Sequence, residues 1–586
     1  MRSKGKALLL VLIILLLLGF AGVVVGLLLM NRDGEGGRGG GTVLRLDLSR
    51  GVPAHLAVDS FSRSFFDPGL DLREMVAALE QGAADPAVVG LVARVGAAPM
   101  GLATVQELRD ALIAFSAAGK KTFAYADTLG EFGPSNGAYY LASAFDEILL
   151  QPSGDVGLTG LLYQTSFLRG TLDKIGIEPR MDHRWEYKNA MNSLTETSYT
   201  PSHEKAMREL LDSQFGQMVA GIAAGRGLEP EAVRELVDRG PYYGVEAVEA
   251  GLVDHLAYRD EVYDRLEEEL GDDVGYESLT SYRRRGNLYS RGERIALIYG
   301  VGAVVRGQSD YDPLSGNVMM GSDTLAKAFR DAVDDPRVRA ILFRVDSPGG
   351  SYVASDTIWH ETVRAREAGK PVIVSMGDVA GSGGYFVAMA ADSIVAQPGT
   401  ITGSIGVYAG KLLNRELWNK IGITWDQVGS SENADMWSTI DDFDDVGWER
   451  FQASLDRIYD DFVGKVAEGR DLPVERVGEI ARGRIWTGET AKELGLVDEL
   501  GGFPTALAEV RRVLELEEDA ELRLELFPEP RSAFELLLDQ MPMVESAAGS
   551  RLPARVRTLI RTLQAAGLLD SDSGPLTTPL PVIDGG

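Results

Sequence analysis

The chain of 586 residues contains no cysteine. That absence removes disulfides, thiolate metal sites and a cysteine nucleophile together. Histidine is scarce. His55, His183, His203, His255 and His360 are the full set, and none stands in an HExxH or comparable ligand spacing, so no metal is expected. No P-loop occurs. Gly300 and Gly302 lie in a strand-like run without the GxGxxG pattern, so no nucleotide cofactor is expected. Basic residues are outnumbered, 58 Lys and Arg against 87 Asp and Glu, for a formal charge of −29. Such a chain lacks the basic face that a phosphate backbone requires, which argues against nucleic acid as a partner.

Long apolar runs are equally scarce, with one exception. Ala7 to Met30 carries no charged or strongly polar residue. As a helix it spans roughly 36 Å, enough to cross a bilayer core. Arg2, Lys4 and Lys6 precede it and are expected to stay cytoplasmic. No small-x-small cleavage site follows, so residues 1–30 read as an uncleaved anchor contacting membrane lipid. Residues 31–41, rich in glycine, read as a tether.

The remainder reads as two copies of one unit, offset by about 245–250 residues. ADPAVVGLVARV (84–95) matches DDPRVRAILFRV (334–345), and AGKKTFAYAD (118–127) matches AGKPVIVSMGD (368–378). EILLQP (147–152) matches SIVAQP (393–398), DKIGI (173–177) matches NKIGI (419–423), and AGLVDHL (250–256) matches LGLVDEL (494–500). The first copy is placed at 42–270 and the second at 293–515, with a polar linker at 271–292. A helical C-terminal extension with a mobile tail is placed at 516–586. Strand-length apolar runs alternate with helical patterns such as 72–83 and 323–334, and longer helices are expected at 202–224 and 447–468. This alternation predicts an α/β fold with parallel strands buried on both faces.

Two glycine turns in the second copy suit acyl transfer. Asp346-Ser347-Pro348-Gly349-Gly350 follows the strand AILFRV, and Gly381-Ser382-Gly383-Gly384-Tyr385 follows PVIVSM and opens a helical pattern. A serine at a strand-to-helix turn stands beside a free backbone N–H, and a second glycine turn can supply another. Those amides are assigned to Gly350 and Gly383. In the first copy Asn136 takes the place of Ser382, and GAAPMG (96–101) replaces DSPGG. Conversely, EYKNAMNS (186–193) of the first copy carries Lys188, whereas the second copy has no lysine there. Each half keeps what the other lacks, so one site built from both halves is expected. Burial beside Trp185, Tyr187 and Met191 is expected to lower the lysine pKa enough for it to act as a base.

Together RVDSPGG, MGDVAGSGGY, TGSIGV (402–407) and EYKNAMNS resemble the signal peptide peptidase A family, also called protease IV, in its long duplicated form. The resemblance covers roughly 42–515. It implies a tandem Clp/crotonase-like fold and a membrane-bound serine endopeptidase that degrades cleaved signal peptides. By it Ser382 is the nucleophile, Lys188 the general base, and Ser404 a hydroxyl orienting the lysine. It also implies a homotetramer without cofactor, in a bacterial inner membrane with the catalytic body on the periplasmic side. The alternatives are a crotonase-like acyl-CoA enzyme, a noncatalytic membrane scaffold, and a Ser–His–Asp triad using His183.

Overall fold

The computed structural model describes residues 40–53, 69–286, 288–311 and 318–528. The proposed anchor and most of the tether lie outside the described residues, as does the C-terminal stretch from 529. Among the described residues no helix is long and apolar enough to cross a membrane.

The first half is built on a sheet of β1 (Thr42–Asp47), β2 (Val88–Arg94), β3 (Lys121–Ala126) and β4 (Glu147–Leu150), whose apolar runs are buried almost throughout. The hairpin-like pair β5 (Asp155–Val156) and β7 (Tyr242–Tyr243) sits beside it, and the strand β6 (Glu178–His183) leaves it. The sheet is completed by β8 (His255–Leu256) and β9 (Gly275–Ser278), in the order β8-β4-β3-β2-β1-β9, with every neighbour parallel.

The second half repeats this plan. After β10 (Glu293–Val301) come three short strands, β11 (Ala303–Val305), β12 (Asp310–Tyr311) and β13 (Val318–Gly321), which form a small separate sheet. The main sheet continues with β14 (Val338–Ser347), β15 (Val372–Gly381) and β16 (Ser393–Ala396). β17 (Ile401–Gly403), β18 (Tyr408–Leu413), β19 (Ile485–Thr487), β20 (Glu499–Leu500) and β21 (Leu522–Phe527) follow. Its path β20-β16-β15-β14-β10-β21 is the order of the first sheet, strand for strand, and β17 pairs antiparallel with β19 as β5 does with β7. The duplicated α/β architecture is therefore present in the hydrogen-bonding pattern as well as in the sequence.

The expected boundaries shift. Residues 271–292, read as a linker, contain β9 and the helix Leu279–Arg285, and β9 pairs with β1. The extension from 516 begins with a strand, since β21 pairs with β10. GYES and LRLELF are edge strands with a polar face, so they lack the continuous apolar run that marks the central strands. The helices Leu72–Ala84, Ser322–Asp334, Pro201–Arg226 and Asp445–Gly469 fall where the periodicity placed them.

The halves are joined by buried polar contacts. Glu107 of the first half accepts from Arg344 of the second at 2.8 Å, with both side chains almost fully buried. Its other oxygen accepts from Phe503 N at 2.7 Å. The helix Leu102–Ala117 begins at Gly101, which has no side chain to cap it. Asp378 of the second half does so instead, accepting from Thr104 N at 2.9 Å and Thr104 Oγ1 at 2.7 Å. A carboxylate at a helix N-terminus is favourable both as a cap and toward the helix dipole.

Candidate active site

Ser382 directly follows β15 and stands at the N-cap position of the short helix Gly383–Phe386, its side chain free of any capping bond. Its backbone sits at φ 53°, ψ −116°, a conformation that side chains rarely adopt, held by Ser382 N donating to Gly403 O at 2.8 Å. This turn lifts the hydroxyl off the sheet. Gly349 comes so close that a Cβ there would lie 2.9 Å from Ser382 Cβ and 2.6 Å from Gly383 N, which requires glycine.

Lys188 arrives from the other half. β6 pairs antiparallel with β18, and the chain leaving β6 carries Lys188 to the end of β15. Its Nζ lies 3.0 Å from Ser382 Oγ, 3.0 Å from Ser404 Oγ and 2.7 Å from Ser404 O. The residue is 3 % exposed, and no carboxylate shares the site with it. Burial alone pulls its pKa down to about 7. Desolvation disfavours the charged amine, and nothing anionic offsets it.

Backbone strain gathers here. Eight non-glycine residues among those described have positive φ, and four of them, Trp185, Ser382, Ser404 and Arg482, surround Lys188. Lys188 N donates to Trp185 O, Tyr187 N donates to Arg482 O, and the Arg482 guanidinium stacks on the Trp185 ring. Such conformations cost on the order of 1–3 kcal/mol each and persist where packing over-determines them, commonly at functional sites.

The Gly350 and Gly383 amides face the same space. A Cβ on Gly383 would stand 3.0 Å from Gly350 N, and neither N–H donates to a described residue. Beside them opens a cavity of about 70 Å³ walled by Tyr352, Phe386, Val407, Ile458 and Phe462. The arrangement combines a hydroxyl, an amine poised to be neutral, two free N–H donors and a small apolar recess. Those are the parts needed to attack a carbonyl and stabilise the resulting oxyanion.

Comparison with known proteins gives the class. The family model for peptidase family S49 matches residues 114–272 and 364–517. The chain is 31% identical over 519 residues to the chloroplastic serine protease SPPA of Arabidopsis thaliana, covering 87% of this chain and 73% of that protein. It is 32% identical over 474 residues to Protease 4 of Salmonella typhi (78% and 74% covered) and 31% over 466 residues to Protease 4 of Haemophilus influenzae (76% and 73%). The chain belongs to peptidase family S49. It is a serine peptidase, and the readings as an acyl-CoA enzyme or as a scaffold without chemistry are set aside.

In this S49 peptidase the five residues singled out from sequence, Ser382, Lys188, Ser404, Gly350 and Gly383, converge on one point. His183 does not share the Ser382 hydroxyl, whose hydrogen-bonded partner among ionisable groups is Lys188. His203 packs on Tyr199 and Phe167, and His255 lies 3.6 Å from Glu147. His55 lies outside the described residues. In the first half Asn136 pins its own loop, accepting from Thr159 N at 3.0 Å and Gly160 N at 2.9 Å and donating to Gly160 O. Its side chain is consumed structurally.

Sequence reasoning missed the loop Ala481–Arg484. Gly483 lies against the Lys188 backbone, where a Cβ would approach Lys188 Cα to 2.6 Å, and Ser404 N donates to Arg484 O at 2.7 Å. ARGR matches no motif, and only the positive φ of Arg482 and Gly483, invisible in sequence, marks it. The Ser404 carbonyl was missed as well, because a main-chain acceptor leaves no side-chain signature.

Proposed function

We propose that this S49 peptidase is a membrane-anchored endopeptidase with a Ser–Lys dyad, acting on cleaved signal peptides. The observation that carries the dyad is the 3.0 Å approach of an almost wholly buried Lys188 amine to Ser382 Oγ. Neutral Lys188 accepts the Ser382 proton as Oγ attacks the peptide carbonyl. The N–H groups of Gly350 and Gly383 hold the oxyanion. The resulting ammonium returns its proton to the leaving amine as the C–N bond breaks. Water, deprotonated by Lys188, then cleaves the acyl-enzyme and regenerates the serine hydroxyl. Ser404 fixes the amine by accepting from it at both Oγ and the main-chain carbonyl.

The signal-peptide substrate follows from the family resemblance and suits the apolar recess beside Ser382. The resemblance also supports a Clp/crotonase-like unit in each half and a homotetramer. The uncharged apolar run of residues 7–30 is long enough, read as sequence, to cross a bilayer once. With basic residues ahead of it, the body lies on the periplasmic side of a bacterial inner membrane.

Ser382→Ala and Lys188→Ala are each expected to lower hydrolysis of an apolar signal-peptide substrate by at least about 10³-fold with unchanged circular dichroism. Wild-type turnover by either purified variant refutes the dyad.

A further inference from the structure

The turn after β2 and the turn after β14 occupy one place in the repeated plan, as do the helices Asn136–Ala142 and Gly383–Phe386. The same backbone bond closes both sites. Ser135 N donates to Gly157 O at 2.9 Å, as Ser382 N donates to Gly403 O at 2.8 Å. The first half thus contains a counterpart of the Ser382 recess, and it is hollow. Its cavity holds about 800 Å³, against about 70 Å³ beside Ser382. Met100, Val105, Gly137, Gly160 and Leu161 line it at the positions that Gly350, Ser355, Gly383, Gly406 and Val407 take in the second half.

This cavity has room for a ligand and no means to attack one. Ser135 is buried, and its hydroxyl donates to Leu129 O. The Asn136 amide is spent on Thr159 and Gly160. No lysine reaches it, and its lining contains no charged side chain at all. That is unusual in a chain with 145 charged residues, 58 basic and 87 acidic. Ala97, Ala98, Pro99, Met100 and Leu161 make its walls apolar. The aromatic walls of the Ser382 recess, Tyr352, Phe386 and Phe462, have no aromatic counterpart in the lining, which leaves the larger space. At Gly137 an added Cβ would meet nothing within 4 Å, whereas at Gly383 it would meet Ser355 Oγ at 2.6 Å. Concave apolar sites of about 300–1,000 Å³ with a few fixed polar groups are the usual form of a binding pocket.

A second feature stands beside it. Two residues before Pro134, which lines the cavity, Phe132 is fully exposed. Its turn is longer than the one between Asp378 and Ser382, and Glu131 and Phe132 both have positive φ, 47° and 69°. Asp155 braces the turn by accepting from Glu131 N at 2.6 Å. Strain of this kind persists where surrounding contacts over-determine it, and here it holds an apolar ring out in water.

We infer that the first half binds an extended, uncharged apolar peptide in this cavity without cutting it. The site is the substrate cleft of a peptidase with its nucleophile replaced and its walls drawn back. It holds an apolar stretch of chain and rejects a charged one, because a charge there would be buried without a partner. The inference stands apart from the Ser–Lys reading, since it uses neither residue.

The test uses full-length Ser382→Ala protein in detergent, which removes the hydroxyl and so prevents turnover. The probe is a capped peptide of Ala, Leu and Ser with a diazirine leucine at its centre. After irradiation, mass spectrometry is expected to find adducts within 97–105 and 159–162 as well as beside residue 382. Gly137→Phe, which fills open space, is expected to lower the ratio of first-half to second-half adducts at least about tenfold. Thr159→Asp, at an exposed position on the rim, is expected to do the same by charging the lining. Adducts beside residue 382 alone overturn the inference. So does a ratio that neither substitution moves, equal first-half labelling by a peptide with Asp in place of Leu, or a second copy of the chain cross-linked into the cavity in place of the peptide. Hydrolysis of the same peptide by the wild-type enzyme reports separately on the cutting site.

Discussion

Lys188 makes pH a probe of the site. Its buried amine has a pKa near 7, so kcat/KM is expected to rise through about pH 7 and level off above it as the neutral base fills. The same residue sets a stability slope. The unfolded chain binds the lysine proton up to about pH 10.4, the folded chain only up to about 7. Between those values unfolding takes up a proton, so stability rises with pH. Lys188→Met is expected to remove that slope and to raise stability at pH 7 by about 2–4 kcal/mol while abolishing turnover, as read by urea unfolding at several pH values. An enzyme whose wild-type profile is flat from pH 6 to 9 would contradict the assignment.

Asp346 gives the opposite slope. It lies just before the Ser347–Gly350 turn, and its carboxyl accepts from Val379 N at 3.1 Å. Burial first, and the neighbouring Asp378 second, push its pKa up to about 6. The stability this group contributes is complete below the unfolded carboxylate value of about 4 and is lost as pH rises through 6. Asp346→Asn keeps the acceptor and removes the charge. It is expected to stabilise the protein above pH 6 by about 1–3 kcal/mol and to leave it unchanged near pH 4.

Among the elements, the bonds between halves matter most. Arg344→Met strands the Glu107 carboxylate in the interior and is expected to destabilise the chain by about 3–5 kcal/mol. Glu107→Gln in the same background is expected to recover much of that, and a double-mutant cycle on thermal unfolding measures it. The elements also mark how far the sequence could be read. Central strands such as AILFRV and PVIVSM announced themselves because both faces are buried and nearly every residue is apolar, Arg344 and Ser375 excepted. β9, β21 and the two-residue pairs were silent, since an edge strand needs no apolar run and a two-residue strand has no period. Ser382 and Lys188 were legible because each is present in one copy and replaced in the other. The Ala481–Arg484 loop was not, because its role lies in backbone shape, and no spacing of side chains encodes a positive φ.

For the whole molecule, the meeting of the proposed dyad's two groups inside one chain has a genetic consequence. Co-expression of Ser382→Ala with Lys188→Ala is expected to restore no peptidase activity, because neither chain then holds a complete pair. Recovered activity in the mixed preparation would mean that the amine and hydroxyl meet across a molecular boundary.

The distance along the chain between the parts of this site also times its birth. During synthesis the amine emerges first, the hydroxyl nearly two hundred residues later, and the Gly483 loop that braces the amine later still. If Lys188 and Ser382 act together as proposed, a product that ends before the hydroxyl holds no working cutting centre. On the proposed Ser–Lys reading, cutting is postponed until translation has passed both repeats.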